Sequence, residues 1–81
     1  MKVSGKRVII TGAASGIGRA LATAFHAADA KSIVCVDQNI TEATIVAETI
    51  SGFAIEANVG LEKEIIKVID ESNSLISGID L

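Results

Sequence analysis

The chain has 81 residues, 49% of them apolar, the share a packed core needs and a disordered tail lacks, so it reads as a single small folded domain. Seven basic residues against ten acidic leave a net charge of -3, with no basic block longer than Lys6-Arg7, which argues against a nucleic-acid partner held through its phosphates. Cys35 stands alone, so no internal disulfide forms, and neither a membrane-length apolar run nor a signal-peptide core is present; the expectation is a reducing, cytoplasmic setting with no membrane partner.

Val8-Ile9-Ile10, closed by Thr11-Gly12, is a short β-branched run that predicts a strand buried on both faces. After a glycine-rich turn, Ile17, Leu21, Ala24, Phe25 and Ala28 form an apolar stripe at helical spacing, with Arg19, Thr23 and His26 on the opposite face. Ser32 to Val36 predicts a second buried strand ending at Asp37. Asn39 and Glu42 have the spacing of a capping box before a helix with the stripe Ile40, Ala43, Ala47 and Ile50, and Gly52 is expected to end it. Phe53 to Ala57 predicts a third strand. A third helix follows with the stripe Leu61, Ile65, Val68, Ile69 and Ser72, the chain crosses a loop from Asn73 to Gly78, and Ile79-Asp80-Leu81 begins a fourth strand. Strands alternating with helices imply right-handed crossovers and a parallel sheet. The expected fold is a three-layer α/β/α, Rossmann-like doubly wound sheet in strand order 3-2-1-4, formed by residues 1–81 as one segment.

The turn Thr11-Gly12-Ala13-Ala14-Ser15-Gly16-Ile17-Gly18 carries the chemistry. Gly12 suits a tight strand-to-helix turn, Gly16 lets backbone approach a pyrophosphate, and Gly18 lets helix and strand pack closely. The helix N-terminus then offers unpaired N–H groups and a positive dipole end to the phosphates. Gly18-Arg19-Ala20 lacks the Lys-Ser/Thr of a P-loop, so an NTPase is rejected. Asp37 lies 19 residues past Gly18, near the spacing at which an acid meets the adenosine ribose. A carboxylate there accepts from ribose hydroxyls and repels a 2′-phosphate, and neither Gln38 nor Asn39 brings a cation. The cofactor read from these residues is NAD rather than NADP.

These residues resemble the N-terminal part of the short-chain dehydrogenase/reductase family, whose T-G-x-x-x-G-x-G motif is met by Thr11 to Gly18, and the resemblance runs along the whole chain. It implies that Gly12, Ser15, Gly16, Ile17 and Gly18 surround the pyrophosphate, that Asp37 holds the ribose, and that Asn58 and Val59 sit at the adenine, with Asn58 standing where the family usually has Asp. It also implies a parent oxidoreductase passing hydride between NAD and an alcohol or carbonyl substrate. The family's catalytic Tyr and its Y-x-x-x-K motif have no counterpart among these residues, so catalytic residues are none and the chain alone is expected to be inactive, a segment that stops before the catalytic half. Where the first helix ends, the family usually has a left-handed glycine; Asp29 stands there and is expected to be strained.

A rival reading is a stand-alone non-catalytic module that binds a nucleotide, or pairs with a partner or itself through the open sheet edge. Binding of another adenosine-containing ligand is disfavoured by the glycine spacing. His26 and Cys35 read as a solvated helix residue and a small buried hydrophobe, and Arg19 as solvent-facing rather than turned to the pyrophosphate. No group of residues suggests a metal.

Overall fold

A computed structural model describes residues 4–76 and residue 80. Its elements are β1 (Arg7–Thr11), α1 (Gly16–Ala27), β2 (Ser32–Asp37), α2 (Ile40–Thr49), β3 (Phe53–Glu56) and α3 (Glu62–Ile76). The three strands form a parallel sheet in the order β1-β2-β3, with Ile10 opposite Cys35 and Val36 opposite Ile55. β2 is central, and its consecutive residues Ile33 to Val36 are all buried, as expected of a strand covered on both faces. Ile33 and Cys35 enter one core with Val8, Ile10, Ala22, Val46, Ala47 and Ile50; Val34 and Val36 enter the other with Ile55, Val68 and Ile76. Thus α1 and α2 cover one face and α3 the other, the Rossmann-like α/β arrangement the sequence implies.

Of the expected fourth strand only Asp80 falls within the described residues. Its backbone N–H donates to the Arg7 carbonyl at 2.9 Å, while the Arg7 N–H donates to its carboxylate at 2.8 Å. Both backbone groups of a strand residue lie on one edge, so Asp80 occupies the edge of β1 away from β2, where a strand four would stand.

The helices correct the sequence reading in four places. In α1 the buried residues are Gly18 and Ala22, with Phe25 partly covered, whereas Ile17 is 79% and Leu21 44% exposed. The cause is distance: a Cβ on Gly18 would lie 2.0 Å from the Gly12 carbonyl oxygen, so the first turn packs on the loop backbone through its smallest residue and carries its bulky ones outward. α2 buries Ala43, Val46, Ala47 and Ile50 but ends before Gly52; Ser51 takes the left-handed backbone at φ 55°, and Gly52 is required because a Cβ there would meet the Ile33 carbonyl oxygen at 2.6 Å. The capping box is half formed: Asn39 accepts from the Glu42 N–H, but the Asn39 N–H donates to Asp37 and not to Glu42. Finally α3 runs through Asn73 to Ile76, because no Gly or Pro interrupts it, and it buries Val68, Ser72 and Ile76 while Leu61, Ile65 and Ile69 stay largely exposed.

Candidate functional site

The site lies where the three strands end. β1 runs into Gly12, whose φ of +65° turns the chain without the penalty a side chain would bring. Ser15 then caps α1: its hydroxyl donates to the Gly12 carbonyl at 2.7 Å and accepts from the Gly18 N–H at 3.1 Å. Ser15 N–H bonds Gly12 and Arg19 N–H bonds Ser15, so the N–H groups of Gly16 and Ile17 are those of the first turn left without a partner among the described residues. Both residues are exposed, and a Cβ built on Gly16 would meet nothing within 4 Å. The loop therefore presents two free donors, backed by the helix dipole, toward open space.

Asp37 is tied into this loop more closely than its spacing foretells. One carboxylate oxygen accepts from the Ala14 N–H at 3.0 Å and the other from the Asn39 N–H at 2.9 Å. The side chain bridges the glycine loop and the start of α2, and it is half-buried. Backbone pairing carries the sheet past its strands at the same end, since Ala13 N–H reaches the Val36 carbonyl at 3.1 Å and Ala57 N–H the Asp37 carbonyl at 3.2 Å. The second bond brings Asn58 and Val59 to the same edge as the glycines. Asn58 closes a tight turn, its side-chain oxygen accepting from the Gly60 N–H at 2.9 Å, and an aspartate would make the same bond, which accounts for Asn being accepted there. Val59 is exposed.

All eight expected site residues thus sit at one end of the sheet, with Gly18 and the Ser15 hydroxyl serving the loop itself. Sequence reasoning missed a contact beside them: Arg19 is exposed, as expected, but its guanidinium pairs with the Glu42 carboxylate at 3.3 Å, joining the first turns of α1 and α2. The signal was available, since consecutive right-handed crossovers put these two helix starts side by side. His26 is exposed near the far end of α1, and Cys35 is buried in the sheet, where desolvation pushes its thiol pKa up. Neither belongs to the site. Among the described residues there is no cluster suited to a metal ion, and no helix long and apolar enough to cross a membrane.

A family model described as short chain dehydrogenase matches residues 6–81. Among curated proteins the chain is 31% identical to a (-)-isopiperitenol/(-)-carveol dehydrogenase, mitochondrial, of Mentha piperita, over 99% of this chain and 31% of that protein. It is 33% identical to a (+)-cis,trans-nepetalactol synthase of Nepeta racemosa, over 99% of this chain and 30% of that one. The chain therefore spans about a third of the length of these relatives. Among solved structures it is similar to a hydroxysteroid dehydrogenase from Escherichia coli, with a TM-score of 0.91 and 33% identity over 98% of this chain and 35% of the other. A 3-ketoacyl-(acyl-carrier-protein) reductase from Brucella melitensis, complexed with NADH, gives a TM-score of 0.89 and 31% identity over 96% and 33% of the two chains.

Proposed function

The chain belongs to the short-chain dehydrogenase family, and from that premise we propose that it holds the adenosine and pyrophosphate part of a nicotinamide dinucleotide, NAD in preference to NADP. The observation that carries this reading is the Asp37 carboxylate bonded at 3.0 Å to the glycine loop at Ala14. It sets an acid beside the free N–H groups of Gly16 and Ile17, so one ligand with an anionic group and a neighbouring diol satisfies both. The residues fit the cofactor: the donors are unspent, the space beyond Gly16 is open, and the ribose acceptor is anchored.

In this reading Gly16 and Ile17 donate to the pyrophosphate, helped by the dipole of α1. Gly12 and Ser15 shape the loop, and Gly18 brings the helix close enough to aim it. Asp37 accepts from the ribose hydroxyls through lone pairs that Ala14 and Asn39 leave unused, and its charge opposes a 2′-phosphate. Asn58 and Val59 border the adenine. The nicotinamide, when bound, accepts or delivers a hydride. An alcohol or carbonyl substrate is proposed only for a protein of these relatives' full length, on the likeness to proteins named as dehydrogenases and a reductase.

Titration of the folded chain with NAD and NADP, followed by amide NMR, tests the proposal. NAD should bind the more tightly, with shifts centred on Gly16 and Ile17. Asp37→Ser should erase about 1–3 kcal/mol of that discrimination, the scale of a charged hydrogen bond. Because the substitution also releases Ala14, the ratio of the two affinities is the decisive quantity. Equal affinities before the substitution would refute the assignment to NAD.

A further inference from the structure

The contacts at the strand ends close into a ring. Ala14 donates to Asp37, whose other oxygen accepts from Asn39; the Asn39 side chain accepts from Glu42 N–H; the Glu42 carboxylate meets Arg19; and Arg19 N–H returns to the Ser15 carbonyl at 2.8 Å, next in chain to Ala14. Within the segments that form this ring, Ala13 to Arg19 and Asp37 to Glu42, Arg19 is the cation and Asp37 and Glu42 are the anions. The rim thus carries one net negative charge, and its guanidinium is already facing a carboxylate.

We propose that Glu42 is a specificity-determining residue: by pairing with Arg19 it withholds the guanidinium of this rim from any phosphate on the adenosine ribose. The inference rests on the dinucleotide reading above and adds to it that rejection of NADP is shared between Asp37 and a second acid on α2. Arg19 is anchored through the first turn of α1 beside the loop that would carry the phosphates, and its side chain reaches across to α2. A guanidinium is the group best suited to a phosphate, through paired, charge-assisted donors. The pair with Glu42 is half exposed, at 51% and 44% for the two side chains, so it contributes little to folding. Its removal therefore alters the charge at the rim without dismantling the loop.

The test is amide NMR titration of NAD and NADP into the 81-residue chain, Glu42→Gln, Arg19→Gln and the double variant. Glu42→Gln should strengthen NADP about tenfold relative to NAD, the scale of a partly exposed charged contact, while NAD affinity stays within about twofold. Arg19→Gln alone should leave the ratio near that of the unaltered chain, and the double variant should lose the gain. A merely structural role for the pair would move both affinities together. An unchanged ratio in Glu42→Gln with NAD still bound overturns this inference and spares the dinucleotide reading, and so does a gain that survives Arg19→Gln. If no version binds NAD, both fall.

Discussion

The two faces of the sheet are covered by different means. On one, α1 lies at backbone contact with the glycine loop through Gly18 and buries Ala22, Ser15 caps its start, and the loop and first turn are tied to β2 and α2 by Asp37 and Arg19. On the other, α3 packs on Val34, Val36 and Ile55 through Val68 and Ile76, with Ser72 buried between them and its hydroxyl without a partner among the described residues. The first contact is chosen by the absence of side-chain atoms and is intolerant of any addition. The second is ordinary side-chain packing, carries an uncompensated polar atom, and has room for improvement. The rigid face is the one that builds the candidate site, where loop donors have to be held in place before a ligand arrives.

The largest expected effect breaks the first face. Gly18→Val places a Cβ against the Gly12 carbonyl oxygen at 2.0 Å and the Ala13 Cα at 2.8 Å, contacts relieved only if helix and loop part. A loss of about 3 kcal/mol or more is expected in chemical denaturation, together with loss of nucleotide shifts at Gly16 and Ile17. A melt unchanged within about 0.5 kcal/mol would show that α1 does not sit where its glycine requires.

The second face should respond in the opposite direction. Ser72 is fully buried and its Oγ has no partner among the described residues, so Ser72→Ala removes a desolvation penalty and leaves a gap of one oxygen. A gain of about 1 kcal/mol is expected, read as a higher denaturation midpoint with unchanged slope. Destabilisation would mean that the hydroxyl has a partner in solution.

Where α1 turns back to the sheet the strain foretold for Asp29 is present, at φ 64°. Its carbonyl accepts from Gly5 N–H at 3.0 Å, so the backbone is held there whatever the side chain. Asp29→Gly should stabilise by up to about 1 kcal/mol, since glycine adopts this conformation without a Cβ penalty. A clear loss in thermal melts would reveal a bond from the carboxylate that outweighs the strain.

The three strands and the glycine loop were legible because each rests on local chemistry: β-branched runs such as Ile33 to Val36, the conformational need at Gly12, the acid at the end of β2. The buried face of α1 was not. Hydropathy marks which residues prefer burial, and Ile17 and Leu21 score highly, but helix orientation here is set by how closely two backbones approach, which favours Gly18 and Ala22. Likewise the spacing of Asp37 marked an acid at the ribose position, while its bonds to Ala14 and Asn39 depend on loop geometry that no periodicity encodes. The extension of α3 through Asn73 was readable from the lack of a breaker; polar composition argued for a loop and was overridden by packing at Ser72 and Ile76.

The returns of the two helices to the sheet complete the contrast, and give the smallest effect and the one most easily tuned. After α1 the chain rejoins through neutral backbone bonds, Lys31 N–H to the Lys6 carbonyl at 2.7 Å among them. After α3 the described contact is charged: Arg7 Nε and the Asp80 carboxylate lie 2.8 Å apart, with the Arg7 N–H on the same oxygen. The side-chain hydrogen bond from Arg7, followed by its backbone N–H, holds the Asp80 pKa down to about 2, against about 3.9 for a free aspartate. A carboxyl whose pKa is lower in the folded state contributes stability that is fully present above the ordinary value and is lost as pH falls through the folded one. The window is therefore about pH 4 down to about pH 2. Asp80→Asn should flatten the acid limb of stability in that window by lowering the neutral-pH midpoint toward the acid one, and only by a small amount because the pair is exposed and screened by salt. Asp29→Gly, at the neutral return, is the companion variant that leaves the Arg7–Asp80 pair in place. Urea midpoints collected from pH 7 to pH 2 for both variants decide the matter: an acid limb unaltered by Asp80→Asn would mean that Asp80 does not hold the edge of β1 in solution.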